Sequence, residues 1–513
     1  MRMKTTRVIL GFLMLVFSFG SFAQSKLFDN VLEVEVKSTV AIVSNQQIVG
    51  YAFFYKIDKM KKSGLYRLSV LDENLKEIGS NEFEGGKDMV LTRANYESEK
   101  LMLSFYDEDK FDGFKKFVKV YDLKGKQLGL VGYDPEKVKK GMFGAAMAED
   151  MDGLYEGIEN VEGKGFVRLY QSKAKTGGID IQFIGLNGKL AWEKNITADK
   201  GDRTELYLIA TTPNTVLLCQ MERNGIMDAD PAIFLVGLNT SNGSQLFKKP
   251  LDVKGNSYEP MLVKKMPDGK IKMVASLLDE SAKFLKAVPK GISIGELNDK
   301  TGEMKIIKDF TYANELSSVL TMKTDTKSEE GYIKPHNLLM QDDGSMVLVG
   351  EFFRKTVSAG GMAMKVLSKG NASAAQATID DMFLLRINSS LKATALEKIE
   401  KDKERTPLPT DFMSIGLTSK WLSYLHQWGY MYTDDGMNGS NKTVLAHGSF
   451  GDDKYGTVAI TIDDKKGFSQ KRFSIAKEKN VRYNISRAKP GYVMITKYDS
   501  KAKTMKVNLE KVN

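Results

Sequence analysis

Residues 268–277 read DGKIKMVASL and residues 343–352 read DGSMVLVGEF, and the two stretches align without a gap. Each begins with an Asp-Gly pair, which favours the left-handed backbone of a tight hairpin, and continues into an apolar run with strand-forming residues. Residues 445–450 (LAHGSF) fit the end of the same strand. A hairpin that recurs in this way predicts a repeat architecture.

A second turn recurs eight times along the chain. In each copy an apolar strand ends in Leu, Ile or Tyr, an Asp or Asn follows, and a short polar turn leads into the next strand. Asp and Asn stabilise such turns by accepting hydrogen bonds from nearby backbone N–H groups. The eight anchors are Asp72, Asp122, Asn187, Asn239, Asn298, Asn388, Asp463 and Asp499. Their spacings of 36 to 90 residues leave room for about four strands per unit.

The pattern predicts an all-β chain, because helical periodicity is scarce while short runs rich in Val, Ile, Phe and Tyr recur throughout. Two hairpins per unit form a four-stranded antiparallel sheet, and such sheets pack radially as a β-propeller. We therefore expect a single β-propeller of eight four-stranded blades. A seven-bladed ring is the main alternative, and two stacked β-sandwich domains are the competing architecture.

The two ends of the chain predict how the ring closes. The last unit has three strand candidates, at residues 483–488, 492–498 and 505–509, and residues 31–36 (VLEVEV) form an additional alternating strand before the first unit. We expect the N-terminal strand to pair with the C-terminal blade, alongside residues 503–511. Two separate sandwiches would not explain the missing last strand.

The first 23 residues have the layout of a secretory signal peptide. Arg2, Lys4 and Arg7 precede an apolar run over residues 8–17, and small residues lead to Ala23. We expect cleavage after Ala23, a propeller over residues 24–513, and export to the periplasm or beyond. No later run reaches the roughly 20 apolar residues of a membrane span. The single cysteine, Cys219, is expected to be a buried hydrophobic residue.

The turn pattern resembles that of secreted bacterial repeat β-propeller proteins built on Asp-Gly hairpins, and this resemblance implies the architecture alone. The charge adds one exclusion. Seventy-five basic and 65 acidic residues give a formal net charge of +10, but the two signs are interspersed along the chain. Such a surface does not predict nucleic-acid binding.

Loop lengths predict a working face. With strands labelled a to d from the axis outward, the a–b and c–d turns lie on one face, and the b–c and d–a connections lie on the other. Most long connections fall on the second face, including an insertion at about residues 354–380 that is rich in Ala, Gly, Ser and Met. Long loops on one rim are typical of a binding surface. The insertion is expected to be a lid or docking arm, or else a disordered excursion.

The densest aromatic stretch supplies the candidate ligand-binding residues. If residues 424–432 form a strand, Tyr424, His426, Trp428 and Tyr430 share one face and could stack on sugars or apolar ligands. The alternative is aromatic packing between neighbouring blades.

Two further patterns suggest metal ligands. Asp107, Asp109 and Asp112 before Gly113 approximate a Ca²⁺ loop, although their register is shifted by one and no bidentate Glu follows. A solvated acidic loop is the alternative, so no cofactor is required and Ca²⁺ stays an option. His336, His426 and His447 could converge on zinc or could lie in the core.

The sequence contains no Gly-x-Ser-x-Gly, His-Glu-x-x-His, P-loop or Cys-x-x-Cys motif. We therefore expect an exported, monomeric, non-enzymatic binding or scaffold protein that contacts a protein or glycan. The alternative is a carbohydrate-active hydrolase with two carboxylates in the axial funnel, whose spacing the sequence does not reveal. A purely structural envelope component is a third option.

Overall fold

The computed structural model describes most of the chain after residue 23. The described residues are 24–34, 39–44, 47–110, 113–133, 157–171, 178–199, 203–224, 232–253, 255–266, 268–279, 288–324, 327–329, 331–367, 373–409, 413–434, 442–449, 455–463, 467–474 and 478–512. They form eight antiparallel sheets of a β-propeller, as the sequence predicted, and two helices. The proposed signal peptide and cleavage site lie outside the described residues.

The first four blades follow one another along the chain. Blade 1 contains β2 (Thr39–Ser44), β3 (Gln47–Lys59), β4 (Ser63–Asp72) and β5 (Glu77–Gly86). Blade 2 contains β6 (Val90–Glu97), β7 (Lys100–Tyr106), β8 (Lys116–Asp122) and β9 (Gln127–Tyr133). Blade 3 contains β10 (Ile158–Val161), β11 (Gly165–Gln171), β12 (Ile179–Gly185) and β13 (Leu190–Ile196). Blade 4 contains β14 (Arg203–Thr211), β15 (Thr215–Arg223), β16 (Ala232–Asn239) and β17 (Gln245–Pro250).

The other four blades carry the additional elements. Blade 5 contains β18 (Asp252–Val253), β19 (Asn256–Lys265), β20 (Ile271–Asp279), β21 (Gly291–Leu297) and β22 (Met304–Thr311), and a small hairpin of β23 (Met322–Thr324) and β24 (Lys327–Ser328) follows. Blade 6 contains β25 (Tyr332–Met340), β26 (Met346–Val357), β27 (Ala375–Ile387) and β28 (Ala393–Ile399), with β29 (Glu404–Pro407) paired to β27. Blade 7 contains β30 (Tyr430–Asp434), β31 (Lys442–Ser449), β32 (Tyr455–Asp463) and β33 (Gly467–Ser474). Blade 8 contains β34 (Val481–Arg487), β35 (Tyr492–Asp499), β36 (Thr504–Lys511) and β1 (Ser25–Phe28). The helices are α1 (Ala359–Leu367) and α2 (Ile415–Tyr424).

The first strands of neighbouring blades line the axis. Strand β2 contacts β6, β6 contacts β10, β10 contacts β14, β14 contacts β19 and β19 contacts β25. Apolar clusters fill the spaces between blades: Phe54 and Leu68 of blade 1 pack with Leu103 and Phe117 of blade 2. Because both faces of most blades are covered, the central strands are largely buried. Every residue of β15 is buried, including the polar residues Gln220, Glu222 and Arg223.

The predicted turns form as expected. Asp268 Oδ1 accepts a hydrogen bond from Lys270 N at 3.0 Å, and Gly269 has φ +80°, a conformation that favours glycine. Among the eight anchors, Asp72 Oδ1 accepts from Asn74 N and Lys76 N at 2.8 and 2.9 Å. The anchor at Asp499 differs in position, because it lies in the b–c turn of blade 8 and the other seven lie in c–d turns.

The N-terminal strand closes the ring, but residues 25–28 form it and residues 31–36 do not. Strand β1 pairs antiparallel with β36, with Ser25 opposite Asn508 and Phe28 opposite Met505. Phe28 lies opposite Met505, and β36 begins at Thr504, one residue earlier. The residues after Phe28 therefore extend past the start of β36 and cannot pair with that strand. Residues 31–34 make a single bridge, between Glu33 and Lys56, and residues 35–36 lie outside the described part.

The face with the b–c and d–a connections, called the loop face below, carries the longest connections: 312–331, 358–374 and 400–429, together with the span between β9 and β10. The predicted insertion at about 354–380 is shorter than expected, since it spans 358–374 and contains α1. Strands β26 and β27 extend into the predicted insertion, and they stay paired as far as Val357 and Ala375.

Candidate functional site

The aromatic stretch forms a helix and a turn before the strand begins, which corrects the predicted strand over residues 424–432. Ser414 caps α2, since its side chain accepts a hydrogen bond from Leu417 N at 3.1 Å. Leu417, Trp421 and Leu422 then recur at the i, i+4, i+5 spacing of a buried helix face. This spacing was present in the sequence, but the alternating aromatic residues that follow it obscured the signal.

The four predicted ligand-binding residues therefore do not share a strand face. Tyr424 is the last residue of α2, and His426 has φ +53° in the turn that follows. Trp428 is buried, and its Nε1 donates to Ser423 Oγ at 2.8 Å. Tyr430 begins β30, and its ring stacks on His336 with centroids 4.8 Å apart. Trp428 and Tyr430 thus pack between elements, as the alternative proposed.

Helix α2 belongs to the connection between blades 6 and 7, yet it contacts blades 4 and 5. Lys420 Nζ lies 3.1 Å from Glu259 Oε1 on β19, and 3.5 Å from the centroid of the Tyr207 ring on β14. A Cβ atom on Gly416 would overlap the Glu259 carboxylate, so the helix backbone approaches blade 5 closely. We call residues 400–409 and 413–429 the cap segment, since they extend over the axial ends of these blades on the loop face.

A fully buried glutamate, Glu351 of β26, holds both ends of the cap segment. At the start of the segment, Lys401 Nζ lies 2.7 Å from Glu351 Oε2. At its end, Gly429 N donates to Oε2 at 3.1 Å, and Tyr430 N donates to Oε1 at 2.8 Å. His336 Nε2 on β25 lies 3.0 Å from Oε1. One carboxylate therefore fixes where the cap segment leaves blade 6 and where it enters blade 7.

The charges of this centre follow from burial and pairing. Burial by itself would raise the pKa of Glu351, but the His336 imidazole and the Lys401 ammonium outweigh it and hold that pKa well below its usual range. Burial lowers the pKa of His336, and Glu351 opposes this effect. Burial also lowers the pKa of His447, whose backbone N donates to Gly429 O at 2.7 Å. The glutamate is therefore ionised and the two histidines are neutral near pH 7.

Lys334 is the second unusual group. It lies directly opposite Glu351 on the neighbouring strand, so both side chains extend from the same face of blade 6. Burial and then the charge of Lys420 lower the pKa of Lys334 to about 8, while Glu259 and Glu351 act in the opposite direction. The side chain is nevertheless partly exposed.

A model described as "Family of unknown function (DUF6770)" matches residues 3–513. The chain belongs to this family. No curated protein matches the sequence of this DUF6770 chain.

Solved structures similar to the DUF6770 chain include several propellers. Prolyl oligopeptidase B from Galerina marginata is 8% identical, with a TM-score of 0.35, and the match covers 93% of this chain and 55% of that one. The β-propeller domain of the Trilobed protease from Pyrococcus furiosus is 8% identical, with a TM-score of 0.38 and coverage of 88% and 99%. TolB from Acinetobacter baumannii is 11% identical, with a TM-score of 0.25 and coverage of 83% and 81%. The DUF6770 chain thus spans little more than half the length of the prolyl oligopeptidase. These likenesses concern the fold alone.

The predicted acidic loop of the DUF6770 chain ties blade 2 to blade 1. Asp107 is buried, and its two carboxylate oxygens accept hydrogen bonds from Gly86 N at 2.9 Å and Asp109 N at 3.1 Å. Asp109 Oδ2 accepts from Lys87 N at 3.0 Å. Asp112 lies outside the described residues. Within the described ranges, no group of three His, Cys, Asp or Glu side chains is arranged to hold a metal ion.

The sequence analysis named three residues of the centre, His336, His447 and Tyr430, without placing them together. The two histidines do come close to each other, but at Glu351. His426 lies in the turn after α2. Glu351 and Lys401 were not identified, although a lone carboxylate inside the apolar run of residues 346–353 was a usable signal. Cys219 is buried as expected, and burial raises the pKa of its thiol to about 12. Neither described helix is long and apolar enough to cross a membrane.

Proposed function

We propose that this DUF6770 protein is an exported binding protein that recognises a partner protein or a glycan through the loop face and performs no catalysis. One observation carries the proposal. Among the described large apolar side chains that are exposed, four lie on the loop face of blades 5 and 6. Val288, Met362 and Tyr424 lie in connections and Val357 ends strand β26, with exposures of 46, 54, 37 and 67%. The other exposed large apolar side chains lie in strands of other blades. Exposed apolar groups on one face favour docking of a partner.

The cap segment supports the same function because it makes the loop face rigid. Glu351 fixes both of its ends, and α2 buries Leu422 fully against the blades. A binding surface that is already ordered loses less conformational entropy when a partner docks. We therefore expect Tyr424 and the residues around Met362 to be presented on a stable base.

Hydrolysis of a carbohydrate is the second candidate function, and one observation favours it. Burial raises the pKa of Glu404, whereas the pKa of Glu351 is lowered, and carboxyl groups with pKa values shifted in opposite directions are typical of an acid and a base. The contacts of Glu351 oppose this function, since its oxygens already face Lys401, His336 and two backbone N–H groups. The binding function is therefore preferred.

The decisive experiment captures partners from an envelope extract with residues 24–513. The variant Val357→Ser/Met362→Ser should lose the captured partner. The matched control Leu190→Ser/Leu246→Ser removes side chains of similar exposure, 41 and 43%, from the blade strands β13 and β17. It should capture as the wild type does. Equal capture by both variants would contradict the proposed face, and turnover of a glycan panel that Glu404→Gln abolishes would favour the hydrolase.

The insertion can be tested separately. Replacing residues 359–373 by an Asn-Gly turn keeps β26 and β27 intact, because their pairing ends at Val357 and Ala375. We expect a folded ring with weakened partner capture. Unchanged capture by a correctly folded variant would remove the insertion from the binding surface.

Export is tested by fractionation of the native host. The protein should be found outside the inner membrane with Gln24 as its first residue. A cytoplasmic protein that retains residues 1–23 would contradict the proposed export.

A further inference from the structure

The ion pairs near Lys334 leave its charge without a counterion. Glu259 pairs with Lys420 at 3.1 Å, and Glu351 pairs with Lys401 at 2.7 Å. Each carboxylate that acts on Lys334 electrostatically therefore already has its own lysine. Among the described residues, no carboxylate oxygen lies within 4.0 Å of the Lys334 ammonium.

The position of Lys334 makes this unpaired charge significant. Lys334 lies on β25, a strand that lines the axis. Because β25 enters the blade from the loop face at Tyr332, Lys334 lies close to that face. Its neighbours come from four elements: Glu259 on β19, Glu351 on β26, His336 on β25 itself and Lys420 on α2. A charge held in such an enclosed place costs free energy unless an opposite charge joins it. The partial exposure of the side chain gives water and small solutes access.

We propose that Lys334 is the binding site for one anionic group, a carboxylate or a phosphate, of a small ligand that reaches the loop-face end of β25. The anion supplies the ion-pair partner that Lys334 lacks, whereas Glu259 and Glu351 already pair with Lys420 and Lys401. The Lys420 ammonium repels the Lys334 ammonium, so its positive charge also acts at the site and would attract the same anion. This site is distinct from the apolar side chains of the proposed docking face, so either proposal can fail without the other.

The proposal gives anion binding a defined pH dependence. Lys334 attracts an anion only when protonated, and its pKa is about 8. Burial lowers the pKa of His336, so His336 is neutral near pH 7, and the lowered pKa of Glu351 keeps that carboxylate ionised. Neither group therefore changes its charge as the pH rises above 7. Affinity should therefore be high at pH 6.5–7.5 and should disappear as the pH rises from 8 towards 10.

The test is calorimetric titration of residues 24–513 with inorganic phosphate and, separately, with acetate, at constant ionic strength. Wild type should bind at least one of the two at pH 7, and Lys334→Met should weaken that binding about tenfold or more, as expected for loss of a charge-assisted hydrogen bond. Lys270→Met is the control, because Lys270 is exposed in an a–b turn on the opposite face. Lys334→Arg should retain binding. The acetate and phosphate arms distinguish a carboxylate ligand from a phosphate ligand.

Three results would overturn the proposal: no binding of either anion at pH 7, equal binding by Lys334→Met, or wild-type binding that persists at pH 10. The pH series needs no variant, so it decides the matter even if Lys334→Met fails to fold. The variant Val357→Ser/Met362→Ser should bind the anion normally, which separates this site from the proposed docking face.

Discussion

At the residue scale, the centre of the molecule is a carboxylate that four nitrogen atoms surround. Glu351 is fully buried, and an ionised carboxylate in such a place is tolerated only when cations and N–H groups compensate for lost water. His336, Lys401 and the backbone N–H groups of Gly429 and Tyr430 do so. Removing one member leaves another buried group without its partner.

Glu351→Gln should therefore destabilise the protein by about 3–5 kcal/mol, because the Lys401 ammonium is left buried and unpaired. The double variant Glu351→Gln/Lys401→Met should cost less than the two single variants together. Since the pKa of Glu351 is lowered, its contribution is complete above pH 4.5 and is lost only as the pH falls below that value. Denaturant midpoints at pH 7 and pH 4 measure both effects.

Lys403→Met is the control for this cycle, since Lys403 is mostly exposed and pairs with Asp380 at 3.3 Å. It should change the free energy of unfolding by less than about 1 kcal/mol. A Glu351→Gln variant as stable as this control would contradict the structural role of the glutamate.

Lys334→Met should stabilise the protein below pH 8. The folded state holds the pKa of Lys334 at about 8, below the 10.5 of an unperturbed lysine, so the enclosed charge is a cost that is complete below pH 8. Between pH 8 and 10.5 the folded protein releases this proton first, and the advantage of the variant should shrink. Thermal unfolding from pH 7 to 10.5 measures the difference. A constant difference across that range would show that Lys334 is not perturbed.

At the scale of elements, the cap segment shows how a loop acquires a rigid position. Ser414 begins α2, the buried helix face attaches it to blades 4 to 6, and Glu351 holds the two ends of the segment. The element depends on distant blades, since a helix of ten residues is marginal in isolation.

Leu422→Ala should therefore release α2 and cost about 2–5 kcal/mol, because Leu422 is completely buried. Tyr424→Ala on the same helix is the matched control, since Tyr424 is 37% exposed, and it should cost far less. Hydrogen exchange of residues 415–424 should accelerate in the first variant only. Equal exchange in both would mean that Leu422 does not anchor the helix.

At the scale of the whole molecule, a four-residue strand closes the ring. Strand β1 pairs with β36, and the Phe28 ring lies 5.1 Å from Phe53 and 5.7 Å from Tyr55, measured between centroids. Phe28 therefore joins blade 8 to blade 1, while the adjacent Leu27 is 55% exposed.

Phe28→Ala should cost about 3–5 kcal/mol and lower the unfolding temperature of the whole ring, whereas Leu27→Ala should have little effect. Both variants keep strand β1 and differ only in whether the buried Phe28 or the exposed Leu27 side chain is removed. If both variants unfold at the wild-type temperature, closure by the N-terminal strand does not stabilise the molecule.

The amino-acid sequence by itself determined the all-β class, the eight repeated units and the closure of the ring by the chain ends, because hairpin turns and strand alternation depend on neighbouring residues. The turns at the anchors from Asp72 to Asn388 are stabilised by hydrogen bonds between neighbouring residues. The tertiary structure alone decided which N-terminal residues pair, because residues 25–28 and 31–36 are both compatible with a strand and only the end of β36 distinguishes them. It also decided the helical conformation of residues 415–424 and the convergence of Glu351, His336, Lys401 and Lys334. The register of β25 against β26 places Lys334 and His336 beside Glu351. Lys401 lies 50 positions further along the chain, and only the folded blade 6 brings its ammonium to the same carboxylate.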